Sequence, residues 1–329
     1  MNERRLIYID IAKAMGICLV VLSHTVFPHL MHFAIGCFVP IFFVASGYTI
    51  KNIKLQKKIR SLLFPYLLFN CILLALYIVF CIIKKYSYSD ILTMVGGILY
   101  SRYCLYPLGM PENIFLLKIG NAPLWFLTSM FTAYVAFKPL LKFTQLRFWI
   151  ITVYIGITII LARLPILLPW SIDCAFLMAL FLFVGVKLKE SDFLNNNSLI
   201  VWCILLCGYS LVTILNGYEN LSVRDYGESV LLCLASGGLG SILILKFSKF
   251  ISNYKIGKCL AVLGEHSLII FCIQMPLLFI SRIFIGQLTL LFMFTIKPEI
   301  VALIQMFMTI SIGYVISRVF FKSFPEIFK

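Results

Sequence analysis

Between Asp10 and His24 the chain reads DIAKAMGICLVVLSH, which sets an acid, an amine and an imidazole on one apolar stretch. Ionisable groups in such a run are costly to desolvate, so they tend to be kept for pairing or for chemistry. His24 is the side chain suited to moving a proton or acting as a nucleophile near neutral pH. Its competing role is a hydrogen bond between helices. Lys13 and Asp10 stand three apart on one helical face and are expected to pair. The plainer account of Lys13 is a lysine that snorkels to the headgroups. On a straight helix Lys13 and His24 are separated by roughly 16 Å, about half a hydrocarbon core.

Other residues with chemistry in their side chains carry weaker patterns. His29 and His32 flank the turn after Pro28 without the i, i+4 spacing of helical metal ligands, so interfacial packing accounts for them. His266 follows Glu265 at the start of an apolar run and is expected to be solvated. Asp173 comes just after Pro169-Trp170, at a depth similar to that of His24. It either caps its own helix or orients the imidazole of His24. In NAPLWFLTSM, Trp125 is either an interface anchor or a stacking surface for a sugar. The eleven cysteines show no CxxC and no zinc spacing, and nearly all lie in apolar runs, so no disulfide framework is expected.

The elements that must position these residues are membrane helices. Mean hydropathy of +1.02, with 62% hydrophobic and 12% charged residues, excludes an ordinary soluble domain. Apolar length and charged flanks place ten spans at about 7–28, 33–50, 61–83, 121–138, 148–167, 172–188, 199–216, 228–246, 265–285 and 299–320. The expected fold is all-α and polytopic, one domain over residues 1–329. The net charge of +15 falls in short clusters between the apolar runs, which orients a membrane protein rather than binding nucleic acid. With both termini cytoplasmic, nineteen of the 28 Lys and Arg residues lie inside, eight outside and Lys13 within the first span, which supports that orientation. The first five residues and the run after them outline a secretory signal, but Asp10 and Lys13 interrupt it, and an uncleaved first span is expected. The longest connection, 84–120, is expected outside. Its tyrosines argue for order, its stretch 90–100 is too short to span, and Gly109, Pro111 and Gly120 mark turns.

The stretches DIAKAMGICLVVLSH, VPIFFVASGYTI, IRSLLFPYLLF, APLWFLTSMF, SIDCAFLMALFLFVG and GEHSLIIFCIQMPL, in this order, resemble the acyltransferase 3 family. The closer resemblance is to its branch of membrane sugar O-acetylases related to fucose 4-O-acetylase. The family has about ten spans and moves an acyl group from cytosolic acyl-CoA to an extracytoplasmic acceptor, often a glycan hydroxyl. By that resemblance His24 matches the catalytic histidine, Lys13 its basic partner, and Arg60 a basic position before the third span. One departure is Gln274, where the family's ninth span usually carries a histidine.

The resemblance implies a multi-pass O-acetyltransferase of the bacterial plasma (inner) membrane. Acetyl-CoA is its donor, a surface polysaccharide or lipid-linked saccharide its acceptor, and no metal is needed. His24 would serve as general base or transient acyl carrier, oriented by Asp173. Lys13 and Arg60 would hold CoA phosphates, with Trp125 and Asp10 toward the acceptor. Membrane lipids surround it, and an oligomer is compatible with the sequence. The competing class is a transporter or flippase for lipid-linked sugars, with intramembrane charges lining its path. The chain lacks that class's interrupted helices in two matching halves.

Overall fold

The computed structural model describes residues 6–25, 34, 36–84, 88–107, 113–117, 121–291 and 296–325. His29, His32 and the turn residues Gly109, Pro111 and Gly120 lie outside the described residues. The described regular structure is helical: α1 (Ile7–Ser23), α2 (Pro40–Thr49), α3 (Leu55–Lys58), a π-helical turn (Ile59–Leu63), α4 (Phe64–Lys84), α5 (Tyr88–Tyr100), α6 (Trp125–Lys142), α7 (Arg147–Ala162), α8 (Ala175–Glu190), α9 (Leu199–Asn216), α10 (Val230–Ile251), α11 (Lys255–Glu265), α12 (Ser267–Leu291) and α13 (Pro298–Ser323). Pro40 and Pro298 each stand in the first turn of their helix, where the missing N–H costs nothing. Gly217, at φ +69°, ends α9 in a conformation that glycine adopts without strain.

Among the described residues, eight helices are long and apolar enough to cross a membrane. The chain is therefore a multi-pass membrane protein. The first two expected spans are not among these eight, because α1 has 17 described helical residues and α2 has 10. The expected non-spanning segment at 90–100 is α5, a helix of 13 residues.

The chain divides into two compact units. The first comprises Met1–Ile50, Phe181–Tyr218 and Leu231–Lys329. Its helices approach closely where glycine leaves room, as membrane helices must when lipid gives them no hydrophobic drive to associate. A side chain on Gly264 of α11 would overlap the backbone of Asp10 on α1, so these two helices lie nearly backbone to backbone. Ile11, Ile251 and Ala261 close that contact, with Met15 and Leu260 packed against them. Gly47 of α2 meets the backbone of Leu182, and Gly185 that of Val44, in the same manner.

The second unit comprises Lys51–Leu180 and Glu219–Val230. After α5 the chain is held by pairing rather than by helix. Leu105 N donates to Ile114 O at 2.9 Å and Leu116 N to Tyr103 O at 2.8 Å, forming an isolated antiparallel bridge between Cys104 and Phe115. Leu167 N donates to Leu105 O at 2.9 Å, and Cys104, Leu167 and Val223 form a small core beneath. The described part of the long connection is thus ordered, as its aromatic content implied.

Candidate active site

Helix α1 carries the expected pair. Lys13 Nζ stands 3.4 Å from Asp10 Oδ1, across one turn, with the aspartate buried and the lysine about one-third exposed. Eleven residues on, His24 ends the helix: its N–H reaches back to Val21 O at 3.1 Å. Arg282 of α12 donates through Nη2 to the carbonyl oxygen of His24. This tie fixes the end of the helix and sets a guanidinium beside the histidine. In the sequence Arg282 counts only as one of the eight basic residues expected outside. Its signal was an arginine inside a long apolar run. On α13, Ala302 and Met306 pack against Leu22, so the same end of α1 is enclosed from a second side.

His266 departs from the expectation that it would be solvated. It is buried between α11 and α12, 2.9 Å from Ser317 Oγ through Nδ1, with the rings of Tyr314 and Phe321 at 4.9 and 4.4 Å. The reason is the length of α13, whose far turns fold an aromatic wall over the junction.

In the second unit Arg60 is exposed on the π-helical turn that leads into α4. Trp125 is only 6% exposed and meets Phe126 edge-on, so its indole lies inside the unit rather than at a surface. A hydrogen-bonded chain lines the same neighbourhood. Asn121 Nδ2 donates to Asn70 Oδ1 at 2.8 Å, Asn70 Nδ2 donates to Tyr66 O at 2.8 Å, and Tyr66 donates to Ile98 O at 2.5 Å.

Asp173 is fully buried, and its carboxylate is gripped by two arginines distant in sequence. Oδ1 accepts from Arg102 Nη2 and from Cys174 N at 3.1 Å. Oδ2 accepts from Arg224 Nη1 at 3.2 Å and from Leu168 N at 3.2 Å. Each guanidinium then ties down loop carbonyls. Arg102 donates to Leu168 O and Ser222 O, both at 2.9 Å, while Arg224 donates to Ile166 O at 3.0 Å and to Leu164 O. The backbone around this clamp is strained. Ser101, Trp170, Ser171 and Arg224 all have φ between +54° and +60°, which non-glycine residues hold only when their surroundings enforce it. These bonds account for the carboxylate within its own unit. Nothing local in the sequence pairs Arg102 or Arg224 with Asp173. The usable signal was that two arginines stand in segments expected outside, where basic residues are scarce.

None of the eleven cysteines is in a disulfide. Burial pushes the Cys104 thiol up from its ordinary value, which leaves it protonated and inert at neutral pH. Among the described residues no group of three or more His, Cys, Asp or Glu side chains is placed to hold a metal.

A family model described as an acyltransferase domain matches residues 6–321, from the start of α1 to within two residues of the end of α13. The chain belongs to the acyltransferase 3 family. It is therefore an acyltransferase, and the transporter reading, which drew on the same buried charges, is left without support. No curated protein and no solved structure matches the chain.

Proposed function

We propose that this acyltransferase moves an acetyl group from cytosolic acetyl-CoA to a hydroxyl of an extracytoplasmic polysaccharide or lipid-linked glycan. It would do so from the bacterial inner membrane, with ten spans and both termini in the cytoplasm, as a member of the sugar O-acetylase branch. The observation that carries the reading is helix α1, which holds a cation near one end and an imidazole at the other, roughly 16 Å apart. An extended pantetheine arm has a comparable reach. The nucleotide end of the donor then stays by Lys13, where an ammonium suits phosphate, while the thioester reaches His24.

At His24 the acceptor hydroxyl gives its proton to the imidazole as its oxygen attacks the thioester carbonyl. The new C–O bond forms, the C–S bond breaks, and the proton passes from the imidazolium to the departing thiolate. Lys13 lies too far from this event to take part in it and serves binding alone.

Mass spectrometry of surface glycan from cells with and without the gene tests the reading. Loss of the acetyl mass increment on deletion, restored by the wild-type gene and not by His24→Ala, is the expected result. Glycan acetylated equally in the deletion strain would overturn the choice of acceptor.

A further inference from the structure

Helices α12 and α13 bury polar atoms of three side chains that the protein leaves without partners. Gln274 is 0% exposed, and neither its Oε1 nor its Nε2 is hydrogen-bonded. Thr309, also 0% exposed, has a free Oγ1, and Gln305, 3% exposed, has a free Oε1. Such groups cost stability unless something meets them, and native proteins keep few. The unpaired hydroxyl of Thr309 is a choice of rotamer, because Thr128, Thr158 and Ser317, buried in helices like it, turn theirs back to a carbonyl of the preceding turn, while Ser129 and Thr213 are left unpaired as it is.

The three groups share one place. Along α13 the buried residues are Ala302, Gln305, Thr309, Gly313 and Ser317, whose spacing puts them on one face. Two contacts fix the antiparallel register with α12: Ser317 Oγ lies 2.9 Å from His266 Nδ1, and a Cβ on Gly313 would touch Ile270 at 3.4 Å. That register sets Gln274 level with Thr309. Gln305 lies one turn, about 6 Å, further along. Toward α1, Ala302 packs on Leu22 and Arg282 holds the His24 carbonyl. Gln274 precedes Arg282 by eight residues, about 12 Å of helix, which puts it level with Gly16. The three side chains therefore lie at depths between Lys13 and His24. Pro276 adds a further acceptor, because it has no N–H to offer the carbonyl of Cys272.

We infer that Gln274, Gln305 and Thr309 are the binding groups for the pantetheine arm of the donor. The inference rests on the acyl-CoA reading above and adds to it where the arm lies. Pantetheine carries two secondary amides on an apolar chain, so it brings donors and acceptors at intervals to a surface that is otherwise hydrocarbon. A carboxamide with both atoms free, level with a free hydroxyl on the neighbouring helix, complements an amide N–H and C=O. An acyl tail without the amides would leave all three groups unsatisfied.

The test uses purified full-length protein and two probes, coenzyme A and adenosine 3′,5′-bisphosphate, which lacks the arm. The variants are Gln274→Leu, Thr309→Val, their double, and Gln305→Leu. For the double variant, affinity for coenzyme A is expected to fall on the order of tenfold or more. Affinity for the bisphosphate stays as in the wild type, and the ligand-free Tm stays level or rises, because apolar side chains replace unpaired polar ones. Unchanged coenzyme A affinity in the double variant would overturn the inference. So would a joint loss of both probes with a lowered Tm, which would mean that the groups hold the fold. A wild-type protein that binds no coenzyme A at all would instead overturn the donor reading on which the inference stands.

Discussion

Replacing Asp173 with asparagine removes one negative charge from between two buried arginines. The exposure of the three side chains is 0% for Arg102 and Asp173 and 1% for Arg224, so water cannot take over the lost interaction. Removing one partner of a buried ion pair costs about 3–5 kcal/mol, mostly from the charge left uncompensated. Here the loop carbonyls of Leu168, Ser222, Ile166 and Leu164 still receive hydrogen bonds from both guanidinium groups, which points to the lower end, about 3 kcal/mol. An asparagine can keep one acceptor toward Arg102, but its amide N–H groups then face Arg224, donor against donor. At about 2 °C per kcal/mol for a chain of this size, the expected fall in Tm is roughly 6 °C. Thermal unfolding in detergent at one fixed scan rate reads it, since such unfolding is often irreversible. Arg224→Gln combined with Asp173→Asn should recover part of the loss, because it removes a stranded charge. A single Asp173→Asn protein that unfolded at the wild-type temperature yet lost turnover would refute the clamp. It would return the carboxylate to proton chemistry.

Two further outcomes follow from helix α1. Gly264→Ala forces α11 away from the Asp10 backbone, and overpacking of this kind costs about 1–3 kcal/mol, so both Tm and acyl transfer should fall; wild-type values in both would mean that the two helices part without penalty. Lys13→Ala should raise KM for acetyl-CoA with kcat little changed, whereas His24→Ala should abolish turnover while coenzyme A still binds, and the reverse pattern in steady-state and binding assays would dismiss the division of labour between the two ends of the helix.

What the sequence made legible was set by contrast with a uniform background. In an apolar run a single charge is conspicuous, so the Asp10–Lys13 pair and the position of His24 could be read off helical spacing alone. The eight long helices were equally plain, because hydropathy over about twenty residues is the whole physical requirement for a span. Hydropathy does not say which face of a span meets lipid and which meets protein. Trp125, read as an interface anchor or a sugar-stacking surface, is buried, and His266 read as solvated when α13 covers it. The clamp was beyond reach for another reason. Asp173 lies 71 residues from Arg102 and 51 from Arg224, and only the folded loops bring them together.

The two buried polar groupings differ in a way that bears on function. Around Asp173 both carboxylate oxygens are met twice, the arginines reach carbonyls on two loops, and Arg224 Nε and the Ser171 hydroxyl are left over. The strained φ angles beside it are tolerable because so many bonds converge there. Between α12 and α13 the reverse holds: the helices are regular, and the side chains are what remains unsatisfied. Among the described residues Gln274 is the one buried carboxamide with both its oxygen and its nitrogen unpaired. A fold that needed this position only for packing would do better with leucine, since burying an amide without a partner costs free energy and returns nothing to the helix contact. What distinguishes the two is that the buried carboxylate of Asp173 is fully bonded, whereas the buried carboxamide of Gln274 is bonded at neither atom. That difference is what the proposed pantetheine site between the depths of Lys13 and His24 rests on, and the paired coenzyme A and bisphosphate titrations decide it.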